Sequence, residues 1–402
     1  MLRSAWIVLV VIGVSFECFA ISGRVLDRFK ARVDERIVRR YRIREWNAQT
    51  RLGSTPNQMT QQDTGGVTAN NNATADNHIH QEGGPIMDEE HSKMEVSESD
   101  LISAGLGQRR FQEANKIFER NVLFRFYQSG NLTKTTTVGE NPLLSGTNCS
   151  TTEKFSIIAH GWHENCYETF WIGDLEENLR VHRGGCVICM DYSTFSSGGY
   201  PYLFKRFNNL SGVLLKFLRS LQYEGMQFEN LYMFGFSFGA QLVLDAGNQI
   251  GFNVIEEIDT CDMAGPGFDQ DRFFKGINFR NAAQNVQCIH TSTDKGTKLM
   301  NKCHQDWRMG QCGFKQPAAG KPPLGSHGLC PVFYNLAFSE GFYAEPRPST
   351  CEIVKDRETD YPTGFRMGYM EKRKRKVQGE LYAQTTDVYP YTNSFDQLWL
   401  ND

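Results

Sequence analysis

The chain has 402 residues, of which 40% are hydrophobic, so it can bury a sizeable core and hold one large or two ordinary domains. A formal net charge of −3 leaves no globally basic surface of the kind that nucleic-acid-binding proteins carry, and no nucleic-acid partner is expected. Only Cys186 and Cys189 form a close C-x-x-C pair, which is too little for a zinc-type site, and we expect neither a metal nor an organic cofactor.

Residues 1–20 have the pattern of a secretory signal peptide. A basic start is followed by an apolar run over residues 4–16, and Ala20 supplies a small residue at the expected cleavage point. An uncleaved signal anchor is the alternative, since the basic residues Arg24 and Arg28 follow closely. The apolar run is short for a membrane span, so we favour cleavage and a secreted, extracellular protein.

The cysteine count suits an oxidising compartment. Of the 11 cysteines, Cys18 would leave with the signal peptide, and the even number that remains allows up to five disulfides. We expect most of these cysteines to be paired, with Cys186 and Cys189 on a predicted core strand as the exceptions. Four Asn-x-Ser/Thr sequences are candidate glycosylation sites, at Asn72, Asn131, Asn148 and Asn209.

Residues 21–108 are predicted to lie outside the folded domain. Residues 22–48 are arginine-rich with apolar residues at four-residue spacing, which is typical of a basic amphipathic helix. Its role is open between a solvated helix, a processed pro-segment and docking on an anionic membrane surface. Residues 53–100 are rich in Asn, Gln, Thr and Gly, then acidic, and bury too little apolar surface to fold. We interpret them as a disordered linker and expect residues 21–108 to be dispensable for activity.

Residues 109–402 have the composition of one folded domain, in which short apolar runs alternate with longer helical patterns. This alternation predicts an α/β fold with a mainly parallel central sheet, because parallel strands require helix-bearing crossovers. The predicted strands are 122–126, 155–159, 186–190, 231–234, 254–258 and 286–289. The predicted helices are 170–181, 203–222 and 238–250.

A serine lies between two glycines where one predicted strand meets the next helix, in Gly235-Phe236-Ser237-Phe238-Gly239. Strand, sharp turn and helix are the setting of a nucleophile elbow, whose strained turn exposes the serine hydroxyl and leaves no room for side chains two positions away. The motif alone is weak, since a chance glycine turn also fits it. The buried strand before it and the packed helix after it make it specific, and Ser237 is the predicted nucleophile.

A nucleophilic serine needs a base and an orienting acid, which in α/β-hydrolase folds follow it in the order acid, then histidine. That order excludes the two histidines before Ser237, His160 and His163. The remaining candidates for the base are His290, His304 and His327. The candidates for the acid are Asp259 and Asp262, directly after a predicted strand, and Asp269, which lies further into the loop and is expected to be solvated.

Two backbone N–H groups are predicted to bind an oxyanion. The Phe238 N–H lies at the start of the elbow helix, where the helix dipole also favours negative charge. The predicted strand 155–159 ends at His160-Gly161-Trp162, where Gly161 permits close backbone approach and the Trp162 N–H would complete the pair. A plain glycine turn is the alternative.

From about residue 111 onward the chain resembles the pancreatic-lipase-like family of secreted animal lipases and phospholipases A1. FSIIAHGW, CVICMDYS and GFSFGA are similar to the family's oxyanion strand, its following strand and its elbow. The resemblance implies the α/β-hydrolase fold. IDTCDMAGPGF is similar to the family's acid loop, which selects Asp262 over Asp259 as the acid. GSHGLCPVFYNLAF is similar to the segment that carries the base, which selects His327 and leaves His290 and His304 with structural roles.

The resemblance implies a serine carboxylic ester hydrolase that cleaves lipid esters through an acyl-serine, as a triacylglycerol lipase or a phospholipase A1. The alternative is a lipase-fold binding protein that holds a hydrophobic ligand without turnover, in the way that insect yolk proteins resemble lipases. The presence of all three triad residue types favours the enzyme.

Two features of the sequence concern the substrate. In the family a helical lid closed by a disulfide precedes the catalytic histidine, but residues 318–325 contain two prolines, two glycines and no cysteine, so no such lid is expected. We therefore expect an open acyl groove, lined at one side by Trp162, Phe236 or Phe238. The second feature is a basic run that is either a solvated hairpin tip or a site for anionic lipid or sulfated polysaccharide. Its residues are Lys372, Arg373, Lys374, Arg375 and Lys376.

Overall fold

The computed structural model of the chain describes residues 115–128, 130–271, 278–299, 302–321, 324–351 and 359–393. The predicted signal peptide at residues 1–20 and the predicted basic segment and linker at residues 21–108 lie outside these ranges. All described residues belong to the segment that was predicted to fold. No helix in the described ranges is long and apolar enough to cross a membrane.

The described strands are β1 (Leu123–Gln128), β2 (Asn131–Thr136), β3 (Phe155–Ala159), β4 (Cys186–Asp191), β5 (Leu231–Phe236), β6 (Glu257–Cys261), β7 (Val286–His290), β8 (Gln305–Met309) and β9 (Gly379–Ala383). They form one sheet in the order β2-β1-β4-β3-β5-β6-β7-β8-β9. β1 is antiparallel to β2 and β4, and every other neighbouring pair is parallel. The predicted α/β fold with a mainly parallel central sheet is confirmed.

The described α-helices are α1 (Phe170–His182), α2 (Ser193–Ser196), α3 (Tyr200–Phe204), α4 (Phe207–Tyr223), α5 (Phe238–Ile250) and α6 (Ser326–Leu336). α4 and α5 pack in the core on one face of the sheet, whereas α1 and α6 pack in the core on the other face. In α4, Leu210, Leu214 and Phe217 recur at three- and four-residue spacing and are fully buried. Both faces of the sheet are therefore covered, as parallel strands require.

Several elements differ from the sequence prediction, and β8 and α2 are absent from it. The predicted helix 203–222 is two helices, because the Arg206 N–H bonds to Leu203 O, three residues back instead of four, and ends α3 there. β6 begins at Glu257, three residues later than predicted, since the Ile255 carbonyl accepts its hydrogen bond from a loop N–H and not from a neighbouring strand. β2 is an edge strand of mostly polar, exposed residues and lacks the apolar run that marks the other strands.

All ten cysteines in the described ranges form disulfides, so the prediction of extensive pairing is confirmed. The pairs are Cys149–Cys186, Cys166–Cys189, Cys261–Cys330, Cys288–Cys303 and Cys312–Cys351. The expectation that Cys186 and Cys189 would be exceptions is wrong. Side chains alternate along a strand, so these two positions on β4 face opposite sides of the sheet, and each meets another cysteine on its own side.

Candidate active site

Ser237 lies in a strained turn between β5 and α5. Its φ of 55° and ψ of −117° place a non-glycine residue where side chains are rarely found. A Cβ added at Gly235 would lie 2.5 Å from the Ala240 Cα, and one added at Gly239 would lie 2.3 Å from the Ala159 carbonyl oxygen. The two glycines are therefore needed for the close backbone contacts that hold the turn in this conformation.

His327, the second residue of α6, faces Ser237. Its Nε2 lies 2.9 Å from the Ser237 Oγ, and its Nδ1 lies 2.6 Å from Oδ2 of Asp262. The imidazole is about one-sixth exposed, at 15%, whereas the Asp262 side chain is fully buried. The structure thus brings together the three residues that the sequence singled out as nucleophile, base and acid.

Asp262 follows β6 with a φ of 37°, and three donors besides His327 hold its carboxylate. Oδ1 accepts hydrogen bonds from the backbone N–H groups of Thr291 at 2.7 Å and Ser292 at 3.0 Å. Oδ2 accepts a further hydrogen bond from the Ser292 hydroxyl at 2.5 Å. These donors fix the Asp262 carboxylate as the acceptor for the His327 Nδ1–H, which leaves Nε2 free towards Ser237.

Thr291 and Ser292 were not predicted as site residues. They follow β7, and since β6 and β7 are parallel neighbours, the ends of both strands meet at one edge of the sheet. A polar pair directly after a buried strand that neighbours the acid strand was the only sequence signal that could have identified them.

The other candidate residues bond elsewhere. His290 Nε2 lies 3.2 Å from Asp306, and His304 Nδ1 accepts the Val286 N–H at 3.0 Å, so both have structural roles. Asp259 is fully buried and accepts hydrogen bonds from the hydroxyls of two tyrosines, and burial raises its pKa to about 6. Asp269, expected to be solvated, instead accepts hydrogen bonds from Thr297 and from the Lys298 N–H, which secure the loop after Asp262.

The HGW turn (His160, Gly161 and Trp162) follows β3 and lies against the start of α5. The Cβ position of Gly239 is only 2.4 Å from the His160 carbonyl oxygen, so the turn and the elbow are in close backbone contact. In the described part of the chain, the backbone N–H groups of Trp162 and Phe238 donate to no protein acceptor. Both of the predicted oxyanion donors are thus unused by the fold.

Of the three aromatic residues expected beside the groove, only Trp162 is exposed, and Phe236 is buried at 5% exposure. Trp162 is 38% exposed, and its indole N–H donates to Gly198 O at 2.7 Å. Phe236 lies with its ring centroid 4.8 Å from that of His327. Phe238 is fully buried among the rings of the core, so the expectation that its side chain lines the groove is wrong. Its backbone faces the elbow while its side chain points into the core.

The short segment before His327 contains no helix among its described residues, 318–321 and 324–325. Gln316, which precedes it, is buried and donates from Nε2 to Thr291 O at 3.0 Å and to Met309 O at 2.9 Å. Its backbone N–H donates to the Ser326 hydroxyl at 3.0 Å. The segment is therefore tied to the domain at both ends, next to the acid loop and at the start of α6.

The basic run is only partly available to a partner. Lys374 is buried and forms ion pairs with Glu257 and Asp259, so its inclusion in an anion-binding surface is wrong. Arg373 is held by a salt bridge to Glu371. The residues of the run that remain exposed are Lys372, Arg375 and Lys376.

Among the described residues, one group of side chains has the spacing of a metal site, namely Cys288, Cys303 and Asp306. The two cysteines are joined in a disulfide, so they offer no thiolate to a metal ion. The remaining carboxylate accepts the Cys303 N–H and lies beside His290, which accounts for its burial.

Comparison with known proteins places these features in a family. A family model described as Lipase matches residues 90–306, which is more than half of the chain. Lipase member H of Rattus norvegicus is 26% identical over 148 residues, covering 36% of this chain and 32% of that protein. Lipase member H of Mus musculus is 24% identical over 144 residues, with the same coverage of 36% and 32%. The chain thus matches about a third of the length of these curated relatives.

Solved structures show weaker likeness. Esterase PE8 aligns at a TM-score of 0.26 and 15% identity, over 34% of this chain and 68% of that chain. A phospholipase/carboxylesterase from Dyadobacter fermentans aligns at a TM-score of 0.26 and 15% identity, over 34% of this chain and 64% of that chain. These scores are too low to support an argument. The family assignment rests on the match over residues 90–306, and the chain belongs to the lipase family, as its resemblance to pancreatic-lipase-like proteins predicted.

Proposed function

We propose that the protein is a secreted serine carboxylic ester hydrolase that cleaves lipid esters through an acyl-serine intermediate. One observation carries the proposal: His327 lies within hydrogen-bond distance of both Ser237 and Asp262, at 2.9 and 2.6 Å. A hydroxyl, an imidazole and a buried carboxylate in this order form the proton-transfer chain of a serine hydrolase.

The first half of the reaction forms the acyl-serine. Ser237 Oγ attacks the ester carbonyl carbon while His327 Nε2 accepts the hydroxyl proton. Asp262 holds the Nδ1–H and stabilises the imidazolium that results, because its own oxygens are fixed by donors. The tetrahedral intermediate then collapses as its carbon–oxygen bond to the alcohol breaks, and His327 returns the proton to the departing alkoxide.

The oxyanion of the tetrahedral intermediate needs donors that are already in place. We assign this role to the N–H groups of Trp162 and Phe238, which no protein acceptor uses in the described part of the chain. The Phe238 N–H also lies at the positive end of α5. Loss of one such donor typically costs about 3 kcal/mol of transition-state stabilisation, a factor of about 100 or more in kcat.

The second half of the reaction releases the acid. A water molecule takes the place of the alcohol, His327 removes its proton, and the acyl carbon passes through a second tetrahedral intermediate at the same donors. The bond to Ser237 Oγ then breaks with return of the proton from His327, and the free carboxylic acid leaves. No group beyond the residues already named is required for either half.

The short segment before His327 bears on the substrate. Its described residues contain no helix that would cover Ser237, and Trp162 of the HGW turn is exposed. We propose an open acyl groove and rank sn-1 cleavage of phospholipid, the phospholipase A1 reaction, level with hydrolysis of neutral lipid. Exposed Lys372, Arg375 and Lys376 are a proposed contact for an anionic surface or a sulfated polysaccharide.

Secretion is supported by the disulfides. Five of them in one domain require an oxidising compartment to form and persist. Three candidate glycosylation asparagines, Asn131, Asn148 and Asn209, are exposed, as a glycan requires.

Labelling with a fluorophosphonate probe tests the proposal, because the probe reacts with an activated serine and not with ordinary hydroxyls. The wild-type chain should be labelled, and Ser237→Ala should not be. Ser339→Ala, which removes an exposed serine hydroxyl at the end of α6, is the matched control and should be labelled as the wild type is. Folded wild-type protein that takes up no label would contradict the enzyme and favour the lipase-fold binding protein.

A further inference from the structure

Glu164 lies two residues beyond Trp162, between β3 and α1, and does not belong to the triad. Its Oε2 accepts a hydrogen bond from the Gly161 backbone N–H at 2.7 Å, and its Oε1 accepts one from the Trp171 indole N–H at 2.9 Å. Burial raises the pKa of Glu164, while these two donors lower it. Because both partners are donors, the group at this position has to be an acceptor on both sides, which a carboxylate is.

The other side of Gly161 is held by His160. The Tyr192 backbone N–H donates to His160 Nε2 at 3.3 Å, so Nε2 acts as an acceptor and Nδ1 carries the ring N–H. That Nδ1–H donates to the Gly161 carbonyl at 2.8 Å. Since the peptide unit is planar and trans, fixing the Gly161 carbonyl also fixes the direction of the Trp162 N–H. Glu164 and His160 thus restrain the two polar groups of one glycine.

The HGW turn needs this restraint, because the residue after it is strained. His163 has a φ of 61°, a left-handed conformation that costs a non-glycine residue about 1 kcal/mol or more. Its N–H donates to Ser196 O at 3.0 Å, and the Ser196 hydroxyl donates to the Glu164 carbonyl at 3.1 Å. Glu164 is therefore secured through its main chain as well as its side chain.

Trp171 connects Glu164 to the rest of the site. It is buried in α1 at 1% exposure, and its ring meets the Phe236 ring edge-on at 5.8 Å. Phe236 in turn faces the His327 ring, and a Cβ at Gly161 would lie 3.1 Å from the Phe236 ring. The Glu164 carboxylate thus connects a buried side chain of α1 to the backbone of the turn.

We propose that Glu164 is a positioning residue for the HGW turn: its carboxylate fixes the N–H of the His160–Gly161 peptide, so that, with the His160 ring on the Gly161 carbonyl, the Trp162 N–H meets the developing oxyanion. The inference rests on the proposed function, since the oxyanion arises only if Ser237 attacks an ester. Glu164 acts through Gly161 and not on the reacting atoms. A displaced Trp162 N–H weakens binding of the transition state but not of the ground-state ester, so kcat should fall while KM changes little.

Steady-state kinetics on dispersed p-nitrophenyl butyrate test this. Glu164→Ala should lower kcat by about 30-fold, somewhat less than outright loss of an oxyanion donor, with KM within about threefold of the wild type. Glu164→Gln can accept a hydrogen bond from only one of the two donors, because its amide nitrogen is itself a donor. Its kcat should therefore lie between those of the wild type and Glu164→Ala. Glu168→Ala, which removes an exposed glutamate of the same loop, is the matched control and should behave as the wild type does.

Trp171→Phe separates positioning from charge, because the Glu164 carboxylate also interacts electrostatically with His327. This variant keeps the carboxylate and the buried ring but removes the indole donor. If Glu164 positions the turn, kcat falls in Trp171→Phe as well, and its effect is less than additive with that of Glu164→Ala. An unchanged kcat in Trp171→Phe, or a change confined to KM in either variant, overturns the proposal.

A readout independent of activity completes the test. The Trp171 indole N–H resonance, identified by its loss in Trp171→Phe, should shift and exchange faster with solvent in Glu164→Ala. A folded Glu164→Ala with an unaltered resonance, or with kcat within about threefold of the wild type, overturns the positioning role. If Glu164→Ala does not fold, the near-isosteric Glu164→Gln is judged by the same criteria. If the folded wild-type chain shows no activity, the proposed function is contradicted. The indole resonance would still test whether the Glu164 carboxylate accepts the Trp171 N–H.

Discussion

Cys261 and Cys330 are joined in a disulfide that ties the strand bearing Asp262 to the helix bearing His327. Cys261 is the last residue of β6 and directly precedes Asp262, and Cys330 lies three residues beyond His327 in α6. The acid and the base are thus connected covalently as well as by their 2.6 Å hydrogen bond.

Removing this disulfide should therefore affect catalysis more than removal of another. The double variant Cys261→Ala, Cys330→Ala should lose about 2–4 kcal/mol of unfolding free energy, and kcat should fall as α6 gains freedom. Removing Cys312 and Cys351 in the same way should cost similar stability but leave kcat within about twofold, because that disulfide joins neither β6 nor α6. Urea unfolding and ester hydrolysis measure the two effects, and equal losses of kcat would contradict the prediction.

The Ser292 hydroxyl should contribute to catalysis through Asp262. Ser292→Ala removes one of the donors to the Asp262 carboxylate, so the carboxylate holds the His327 ring less firmly and kcat should fall about tenfold. Ser156→Ala is the matched control: it removes a buried serine hydroxyl that has no hydrogen-bond partner in the described part of the chain. Ester hydrolysis by both variants tests this, and an unchanged kcat in Ser292→Ala would show that the two backbone donors are sufficient.

His304 should make the fold sensitive to acid. Burial, and then the nearby charge of Arg280, lower its pKa from 6.5 to about 4, and its neutral Nδ1 is needed to accept the Val286 N–H. The folded pKa lies below the unfolded one, so the unfolded chain binds the proton first, and stability falls as pH drops from about 6.5 to about 4.

His304→Asn keeps an acceptor that does not titrate, so its unfolding free energy should depend less steeply on pH over this range. The difference should be about 1 kcal/mol, since partial exposure of His304 screens part of the effect. Urea unfolding at pH 7 and pH 4 measures it. His182→Gln, which replaces an exposed histidine of α1, is the control, and equal pH dependence in His304→Asn and the wild type would contradict the assignment.

The rate of ester hydrolysis should rise smoothly with substrate concentration through the critical micelle concentration. A groove without a helical lid has no closed state for an interface to open, and the described residues before His327 contain no helix. A short-chain ester measured below and above its micellar threshold tests this. A steep rise at the threshold would overturn the open groove, whichever lipid is the physiological substrate.

The elbow could be predicted from sequence because its chemistry leaves few choices. Only glycine fits at Gly235 and Gly239, where backbone lies within 2.6 Å of a Cβ position, and the strand and helix around Ser237 are continuous apolar patterns. The order of the triad residues along the chain then reduced the number of histidines that could act as the base. Asp262 and His327 were selected by the resemblance to pancreatic-lipase-like proteins. The residues alone left Asp259 as a second candidate for the acid, and His290 and His304 as further candidates for the base.

The contacts that complete the site could not be predicted in this way. Ser292 bonds to Asp262 because the ends of β6 and β7 meet at one edge of the sheet. Glu164 bonds to Gly161 and Trp171 through the conformation of the loop between β3 and α1, which no motif in the sequence specifies. The partners of Cys186 and Cys189 depend on which loops cover each face of β4. The burial of Lys374 depends on carboxylates in β6 that are more than a hundred residues away in the chain.

The most direct test of the central claim is to trap the acyl-serine. The protein is mixed with p-nitrophenyl butyrate, quenched in acid within the first turnover, digested, and examined by mass spectrometry. The account predicts a butyryl group on the peptide that contains Ser237, in the wild type and not in Ser237→Ala, formed together with a burst of p-nitrophenol. Hydrolysis that proceeds without an acyl group on Ser237, or with the group on another residue, would contradict it.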